Sequence, residues 1–191
     1  MNEHALPARR SGAVSDEAAS ASATLRYWAF ISYSHTDAAE AERLHKFLET
    51  YRTPKILVGA NHPFGTIPEK LTPIFRDRQE LAASSDLGRD IKESIADSRY
   101  LIVICSPSAA VSRWVDQEIR DFKRIHGEDR VFAAIVGGEP FAADPKEECF
   151  PPSLRQKIDK RGKPTGKPAE PIAADLRDSG DGWKLGTLKI I

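Results

Sequence analysis

Residues 99–122, "RYLIVICSPSAAVSRWVDQEIRDF", join a continuous apolar run to a segment with helical spacing. The run over 99–107 lacks the alternation of a strand with one wet face, so it predicts a strand covered on both faces. In the second segment, a period of about 100° per residue gathers one apolar stripe and turns polar side chains away from it. The stripe contains Val111, Val115, Ile119 and Phe122, and the polar side contains Arg113, Asp116, Gln117 and Arg120.

Glu118 does not follow this division of the helix into two faces. It lies near the edge of the apolar stripe, one turn after Trp114, so that an indole and a carboxylate share one flank. The position raises the question of what the carboxylate contacts there.

Strands and helices alternate along the rest of the chain. Apolar or β-branched runs predict further strands over 27–33, 72–77, 130–138 and 170–176. Helical spacing predicts helices over 36–52, 84–98 and 151–158, and Asp37 with Glu40 forms a candidate capping box for the first of them. A long surface excursion over 53–71 separates the first helix from the second strand. Because parallel strands need crossover connections, the pattern predicts an α/β fold with a doubly wound parallel sheet of about five strands.

Charge and cysteine content exclude several classes of protein. Lys plus Arg and Asp plus Glu both total 28, and this balance argues against nucleic acid or an anionic membrane as the main ligand. Two cysteines, Cys105 and Cys149, are too few for a disulfide framework and fit a cytoplasmic protein. No apolar stretch approaches the roughly 18 residues of a membrane span, so we expect a soluble chain.

Composition also divides the chain. Residues 1–24 are rich in Ala and Ser without a sustained apolar period, which indicates a disordered lead-in. We expect the domain itself over 25–175, followed by a tail or the start of a further segment over 176–191.

Polar residues follow two of the predicted strands at the position where an open α/β sheet binds ligands. That cleft lies at the carboxyl ends of the strands, where the strand order reverses, which in a flavodoxin-like order is between strands one and three. Ser32, Tyr33, Ser34 and His35 leave strand one, and residues 106–108 leave strand three just before the helix with Glu118. We therefore expect Glu118 to face this cleft.

Three segments in order, "AFISYSH" (29–35), "IFRDRQELAASSDLGRDIKESI" (74–95) and "RYLIVICSPSAAVSRWVDQEI" (99–119), resemble a bacterial TIR (Toll/interleukin-1 receptor) domain. The resemblance covers about residues 25–140 and implies the flavodoxin-like TIR fold. Many bacterial and plant members cleave NAD+, so it also implies that Glu118 is the catalytic glutamate and Trp114 the aromatic residue beside it. The loop over 78–88 would close over the substrate and contact a neighbouring TIR domain.

The chemistry of NAD+ cleavage is compatible with a single carboxylate. Nicotinamide is already a cationic leaving group, so its release needs no general acid, unlike an ordinary glycoside handled by two carboxylates. The carboxylate would accept hydrogen bonds from the ribose and stabilise the oxocarbenium character that develops. The candidate substrate-binding residues are Trp114, Ser32, Tyr33, Ser34 and His35, with Arg76 and Arg78 as diphosphate partners. NAD+ is then a substrate, and no cofactor or metal is expected.

Simpler explanations exist for each of these residues. Trp114 can pack at the core edge while Glu118 pairs with a cation, and His35 can serve a turn. Tyr33 can be a half-buried strand residue, and Arg76 and Arg78 can form loop salt bridges. Cys105 has no partner that would make it a nucleophile. The basic stretch over 157–168 lacks aromatic residues, which favours a solvated loop over a nucleic-acid site.

Three functions follow from these features. The first is a TIR-domain NAD+ glycohydrolase that yields nicotinamide and ADP-ribose or a cyclic isomer, is activated by self-association, and serves bacterial antiviral defence or signalling. The second is a non-catalytic TIR module that self-associates or docks as an adaptor. The third is a nucleoside transferase that exchanges the base.

Overall fold

The computed structural model describes residues 25–63, 65–76 and 87–191, and a five-stranded parallel sheet forms its centre. The strands are β1 (Tyr27–Ser32), β2 (Ile74–Arg76), β3 (Ser98–Cys105), β4 (Val131–Ile135) and β5 (Ile172–Asp175). Their spatial order is β2-β1-β3-β4-β5, with every neighbouring pair parallel. The predicted flavodoxin-like sheet is therefore confirmed, and the order reverses between β1 and β3 as expected.

Helices cover both faces of this sheet. They are α1 (Ala38–Thr50), preceded by a 3-10 turn (His35–Asp37), α2 (Leu87–Ala96), α3 (Pro107–Ala110), α4 (Arg113–His126), α5 (Pro152–Arg155) and α6 (Gly182–Leu188). Side chains alternate along β1, so that Phe30 joins a buried cluster with Ile119 of α4, and Ile31 joins a second cluster with Leu44 of α1. Residues of β1 therefore reach either the α4 face or the α1 face of the sheet.

Helix α4 carries the apolar stripe that its spacing predicts, with one exception. Val115, Ile119 and Phe122 are fully buried, whereas Val111 is 77% exposed. Val111 caps the end of α3 and precedes α4, so the helical period does not apply to it. Asp116 lies off the stripe but is also buried. Its Oδ1 accepts a hydrogen bond from the backbone N–H of Ser153 at 2.7 Å, because α5 covers that side of α4.

Three other local predictions were wrong. The helix predicted over 151–158 ends at Arg155, because Gln156–Ile158 forms a strand. Asp37 occupies the N-cap position of α1, but no side-chain hydrogen bond caps the helix, so the capping box with Glu40 does not form. The basic stretch over 157–168 is not a loop, because Gln156–Ile158 pairs antiparallel with Pro164–Pro168.

The predicted lead-in over 1–24 lies outside the described residues, whereas the predicted tail over 176–191 lies within them. Residues 84–86 of the helix predicted over 84–98 also lie outside the described residues. In the predicted tail, α6 places Trp183 under the guanidinium of Arg43, which lies 3.8 Å from the ring centroid.

Candidate functional site

Glu118 meets the end of β1. The hydroxyl Oγ of Ser32 donates a hydrogen bond to Glu118 Oε2 at 2.5 Å. Ser32 is fully buried and Glu118 is only 5% exposed, so this contact lies inside the protein rather than at its surface. Burial of a carboxylate is unfavourable unless hydrogen bonds replace its water, and hydrogen bonds to an ionised group are among the strong ones. The two residues that the sequence assigns to opposite sides of the cleft are thus directly joined.

Trp114, one turn before Glu118 on α4, is 69% exposed. An indole with this much free surface is not packed at the core edge, so the simpler explanation of Trp114 as a core-edge residue does not hold. Val111 is exposed just before it in the chain. The flank of α4 beside the buried carboxylate therefore presents an aromatic surface to solvent, where a planar ligand can stack.

The segment that follows β1 divides its side chains between the two faces. Ser34 is buried, and its Oγ lies 3.1 Å from Thr36 Oγ1. His35 is exposed at the start of the 3-10 turn. Tyr33 is buried in the α1-face cluster with Ile31, on the other side of the sheet from Glu118. The structure therefore brings Ser32 to Glu118, and it does not bring Tyr33 there.

The predicted diphosphate partners lie away from this contact or outside the described residues. Arg76 ends β2 beside Ile31 and is buried. Its charge acts toward α1, where Lys46 chiefly and Arg76 more weakly lower the pKa of the Glu42 carboxyl. Arg78 lies outside the described residues, as does most of the loop predicted over 78–88, because the described chain resumes only at Leu87.

A second buried hydroxyl–carboxylate contact lies at the same edge of the sheet. Ser106, directly after β3, donates its hydroxyl to Asp37 Oδ2 at 2.6 Å, and both residues are buried. Burial raises the pKa of the Asp37 carboxyl, and the hydrogen bond from Ser106 opposes that rise. Sequence reasoning missed this pair because it assigned Asp37 to the cap of α1. The available signal was that both residues follow neighbouring strands at their carboxyl ends.

Neither cysteine fits a reactive role. Cys105 is fully buried at the end of β3, and burial raises the pKa of its thiol well above the usual value. Burial also raises the pKa of Cys149, to about 12. Both thiols therefore stay protonated near neutral pH, and a protonated thiol is a poor nucleophile. Within the part of the chain that the structure describes, no group of three or more His, Cys, Asp or Glu residues could hold a metal ion.

Comparison with known proteins identifies the family. The model of the TIR domain family matches residues 29–176, a range that includes the whole sheet from Ala29 onward and both hydroxyl–carboxylate contacts. The chain belongs to the TIR domain family. The resemblance seen in three sequence segments is thereby confirmed.

A curated relative is similar over much of this TIR domain. It is the NAD(+) hydrolase ApTIR of Actinoplanes sp., which is 32% identical over 143 residues. The aligned region covers 69% of this chain but only 18% of that protein. No solved structure matches this chain significantly. In the described ranges of this TIR domain, no helix is long and apolar enough to cross a membrane.

Proposed function

We propose that this TIR domain cleaves the bond between nicotinamide and ribose in NAD+, with Glu118 as the catalytic carboxylate. The observation that carries the proposal is the buried Ser32–Glu118 hydrogen bond of 2.5 Å at the edge where the strand order reverses. Similarity to a protein named as an NAD(+) hydrolase supports the same activity.

The reaction breaks the C–N bond and leaves its electron pair on nicotinamide, which thereby becomes neutral. Positive charge develops on the ribose, and Glu118 stabilises it while accepting hydrogen bonds from the ribose hydroxyls. Water then adds to the anomeric carbon and releases a proton to solvent, which yields ADP-ribose. Attack by a nitrogen of the adenine ring instead would yield a cyclic isomer, and attack by a free base would yield an exchange product.

Ser32 orients the carboxylate for this step. A carboxylate can rotate about its last torsion, and that torsion has broad minima. The short hydrogen bond to Oε2 holds Glu118 in one orientation before the substrate arrives. Preorganisation of this kind contributes to catalysis because the charge need not reorient as the transition state forms.

Trp114 supplies the surface on which a ring of the substrate stacks. Its exposed indole lies one turn from Glu118, and aromatic stacking contributes about 0.5–1.5 kcal/mol. Ser34 and His35, at the end of β1, are proposed to contact the ribose, the amide or the phosphates. Arg76 and Arg78 remain proposed partners of the diphosphate, whereas Tyr33 is not proposed as a substrate contact because it is buried on the α1 face of the sheet.

Nicotinamide release from NAD+ by concentrated protein tests the proposal. Glu118→Gln keeps the shape of the side chain and removes its charge, and we expect release to fall by at least about 100-fold. Asp121→Asn is the matched control, because it removes another carboxylate from the same helix, one that forms a hydrogen bond with Gln117 and a salt bridge with Arg124. Equal release by wild type and Glu118→Gln would remove Glu118 from the mechanism. Separation of the products identifies linear, cyclic or exchanged forms.

We also propose that self-association activates the domain, as the family resemblance implies. Ordering a flexible segment costs conformational entropy, and contacts with a neighbouring copy can offset that cost. If a segment of the site becomes ordered only in the assembly, the separate domain rarely adopts the active conformation and has low activity. Specific activity should then rise with protein concentration, together with the mass measured by light scattering. If the specific activity stays constant over a range of protein concentration in which the molar mass rises, the proposed activation by self-association is contradicted.

The proposed biological setting is the bacterial cytoplasm, in defence or signalling. Expression of this chain in bacterial cells should lower cellular NAD+, and expression of Glu118→Gln at the same level should not. Unchanged NAD+ in cells whose purified protein is active would argue against that setting.

A further inference from the structure

The side chain of Asp37 attaches the turn between β1 and α1 to the start of α3, although helix-capping rules predict that it caps α1. Asp37 lies at the N-cap of α1, where a carboxylate usually accepts a backbone N–H from the first turn. Here it makes no such bond, and its Oδ2 accepts the hydroxyl of Ser106, 69 residues later in the chain. The helix thus lacks the stabilising cap that this position usually provides, and the carboxylate is used for a contact between loops.

Ser106 links this contact to the helix that carries Glu118. While its Oγ donates to Asp37, the same atom accepts the backbone N–H of Ala109 at 3.1 Å and so caps α3. The N–H of Ser112 then donates to the carbonyl of Ala109 at 3.1 Å, and Ser112 caps α4. A continuous set of hydrogen bonds therefore runs from Asp37 to the first turn of α4.

The other end of the same turn is held by Glu118 itself. Ser32 precedes the turn and donates to Glu118, and Asp37 ends the turn, with its N–H donating to the carbonyl of Ser34 at 2.8 Å. Residues 32–37 are thus fixed at both ends against the α3–α4 segment. Ser34 and His35 lie between these two fixed points.

We propose that Asp37 is a positioning residue that, through Ser106, holds residues 34–37 against the start of α3 and so sets the geometry of the cleft beside Glu118. Its effect on NAD+ cleavage rests on the proposed function, whereas its effect on the two loops does not. In mechanistic terms, loss of the contact lets the turn move relative to Glu118, and misplacement by about 1 Å can lower a rate about 100-fold.

Four variants and one control test this inference through kcat and KM for NAD+ cleavage. Asp37→Ala and Ser106→Ala each remove the contact, and we expect kcat to fall about 10- to 100-fold in each. The double variant should be no worse than Ser106→Ala, which already removes both the contact with Asp37 and the cap on α3. Asp37→Asn keeps an acceptor oxygen and should retain kcat within about threefold of wild type. Glu40→Ala, which removes the neighbouring carboxylate of α1, is the control and should leave kcat unchanged.

A merely structural role would lower the melting temperature of Asp37→Ala but leave kcat per folded molecule unchanged, and that result would overturn the proposal. Equal damage by Asp37→Asn and Asp37→Ala would also overturn it, because the hydrogen bond would then not be the important feature. If Asp37→Ala does not fold, Ser106→Ala removes the same contact from the other side and decides the matter.

Amide hydrogen exchange gives a result that does not depend on activity. Loss of the contact should raise exchange in residues 34–37 and 106–112 together, and Glu40→Ala should change neither segment. Unchanged exchange in both segments of Ser106→Ala would overturn the inference. If wild type releases no nicotinamide, the proposed function fails, and the exchange result still decides whether Asp37 joins the two loops.

Discussion

Replacement of Ser32 by Ala removes the donor that orients Glu118 and leaves the rest of the buried contact in place. The lost bond is 2.5 Å long, it joins a fully buried hydroxyl to a carboxylate that is 5% exposed, and solvent cannot easily replace it. Hydrogen bonds to charged groups contribute about 1.5–3 kcal/mol to stability. For a chain of this size, about 2–4 °C accompany each kcal/mol, so we expect the melting temperature to fall by about 3–12 °C.

The catalytic effect of Ser32→Ala should exceed what its stability loss explains. Without the donor, Glu118 samples other orientations, and we expect kcat for nicotinamide release to fall about 10- to 100-fold with KM little changed. The assay is nicotinamide release at saturating NAD+, at a temperature where urea titration shows that both proteins are folded. Measurement of kcat and unfolding free energy on the same samples separates the two effects.

Ser98→Ala is the matched control. Ser98 is also a fully buried serine of the central sheet, but its hydroxyl donates to the carbonyl of Ser94 at 2.6 Å, at the amino end of β3. Loss of a neutral hydrogen bond should decrease stability by about 0.5–1.5 kcal/mol and leave kcat unchanged. If Ser32→Ala keeps the kcat of wild type while it loses stability as Ser98→Ala does, the orienting role of Ser32 is refuted.

Three further predictions concern the helix α4 and the turn before α1. Trp114→Ala should raise KM for NAD+ about 3- to 10-fold, with almost no change in the urea midpoint, because the indole is 69% exposed; a large loss of stability would show a packing role instead. Phe122→Ala should decrease the free energy of unfolding by about 3–5 kcal/mol in urea titration, because Phe122 is fully buried. Val111→Ala, at an exposed position, should change it by less than about 0.5 kcal/mol. Equal effects of the two variants would contradict the assigned start of α4. Because burial raises the pKa of Asp37, the folded chain binds this proton more tightly than the unfolded chain, so the carboxyl opposes folding increasingly as pH rises through its titration range. Asp37→Asn should therefore gain stability relative to wild type between acidic and neutral pH, and a gap in unfolding free energy that stays constant with pH would contradict this.

The fold could be predicted from the sequence because its signals are local and repeated. The continuous apolar run of β3 requires cover on both faces, and the helix that follows supplies cover through Val115 and Ile119. Topology then places the ends of β1 and β3 side by side, which is enough to predict that Ser32 and Glu118 share one cleft. That they form a direct hydrogen bond depends on side-chain geometry, which periodicity does not describe.

The remaining features depend on contacts between distant segments. Asp116 is buried because α5, which begins 36 residues later at Pro152, covers the side of α4 away from the main core. Asp37 bonds to Ser106 because parallel strands bring their two loops together. Helical spacing and capping rules describe one element at a time. They therefore predict that Asp116 faces solvent and that Asp37 caps α1. Tyr33 is different, because alternation along β1 places it with Ile31 and away from Ser32, and that pattern was available in the sequence.

The two buried carboxylates at this edge break local rules in the same way. Glu118 lies on the apolar side of an amphipathic helix, and Asp37 leaves the helix it should cap. Each instead accepts a serine hydroxyl, one from the end of β1 and one from the end of β3. A buried carboxylate is destabilising compared with an apolar side chain unless it is well paired, so core packing alone gives no reason for two of them here. Residues that depart from the local preferences of their element are expected at functional sites. Here both carboxylates lie where the strand order reverses. The pairing therefore supports a site in which one carboxylate acts on the substrate and the other holds the surrounding turn.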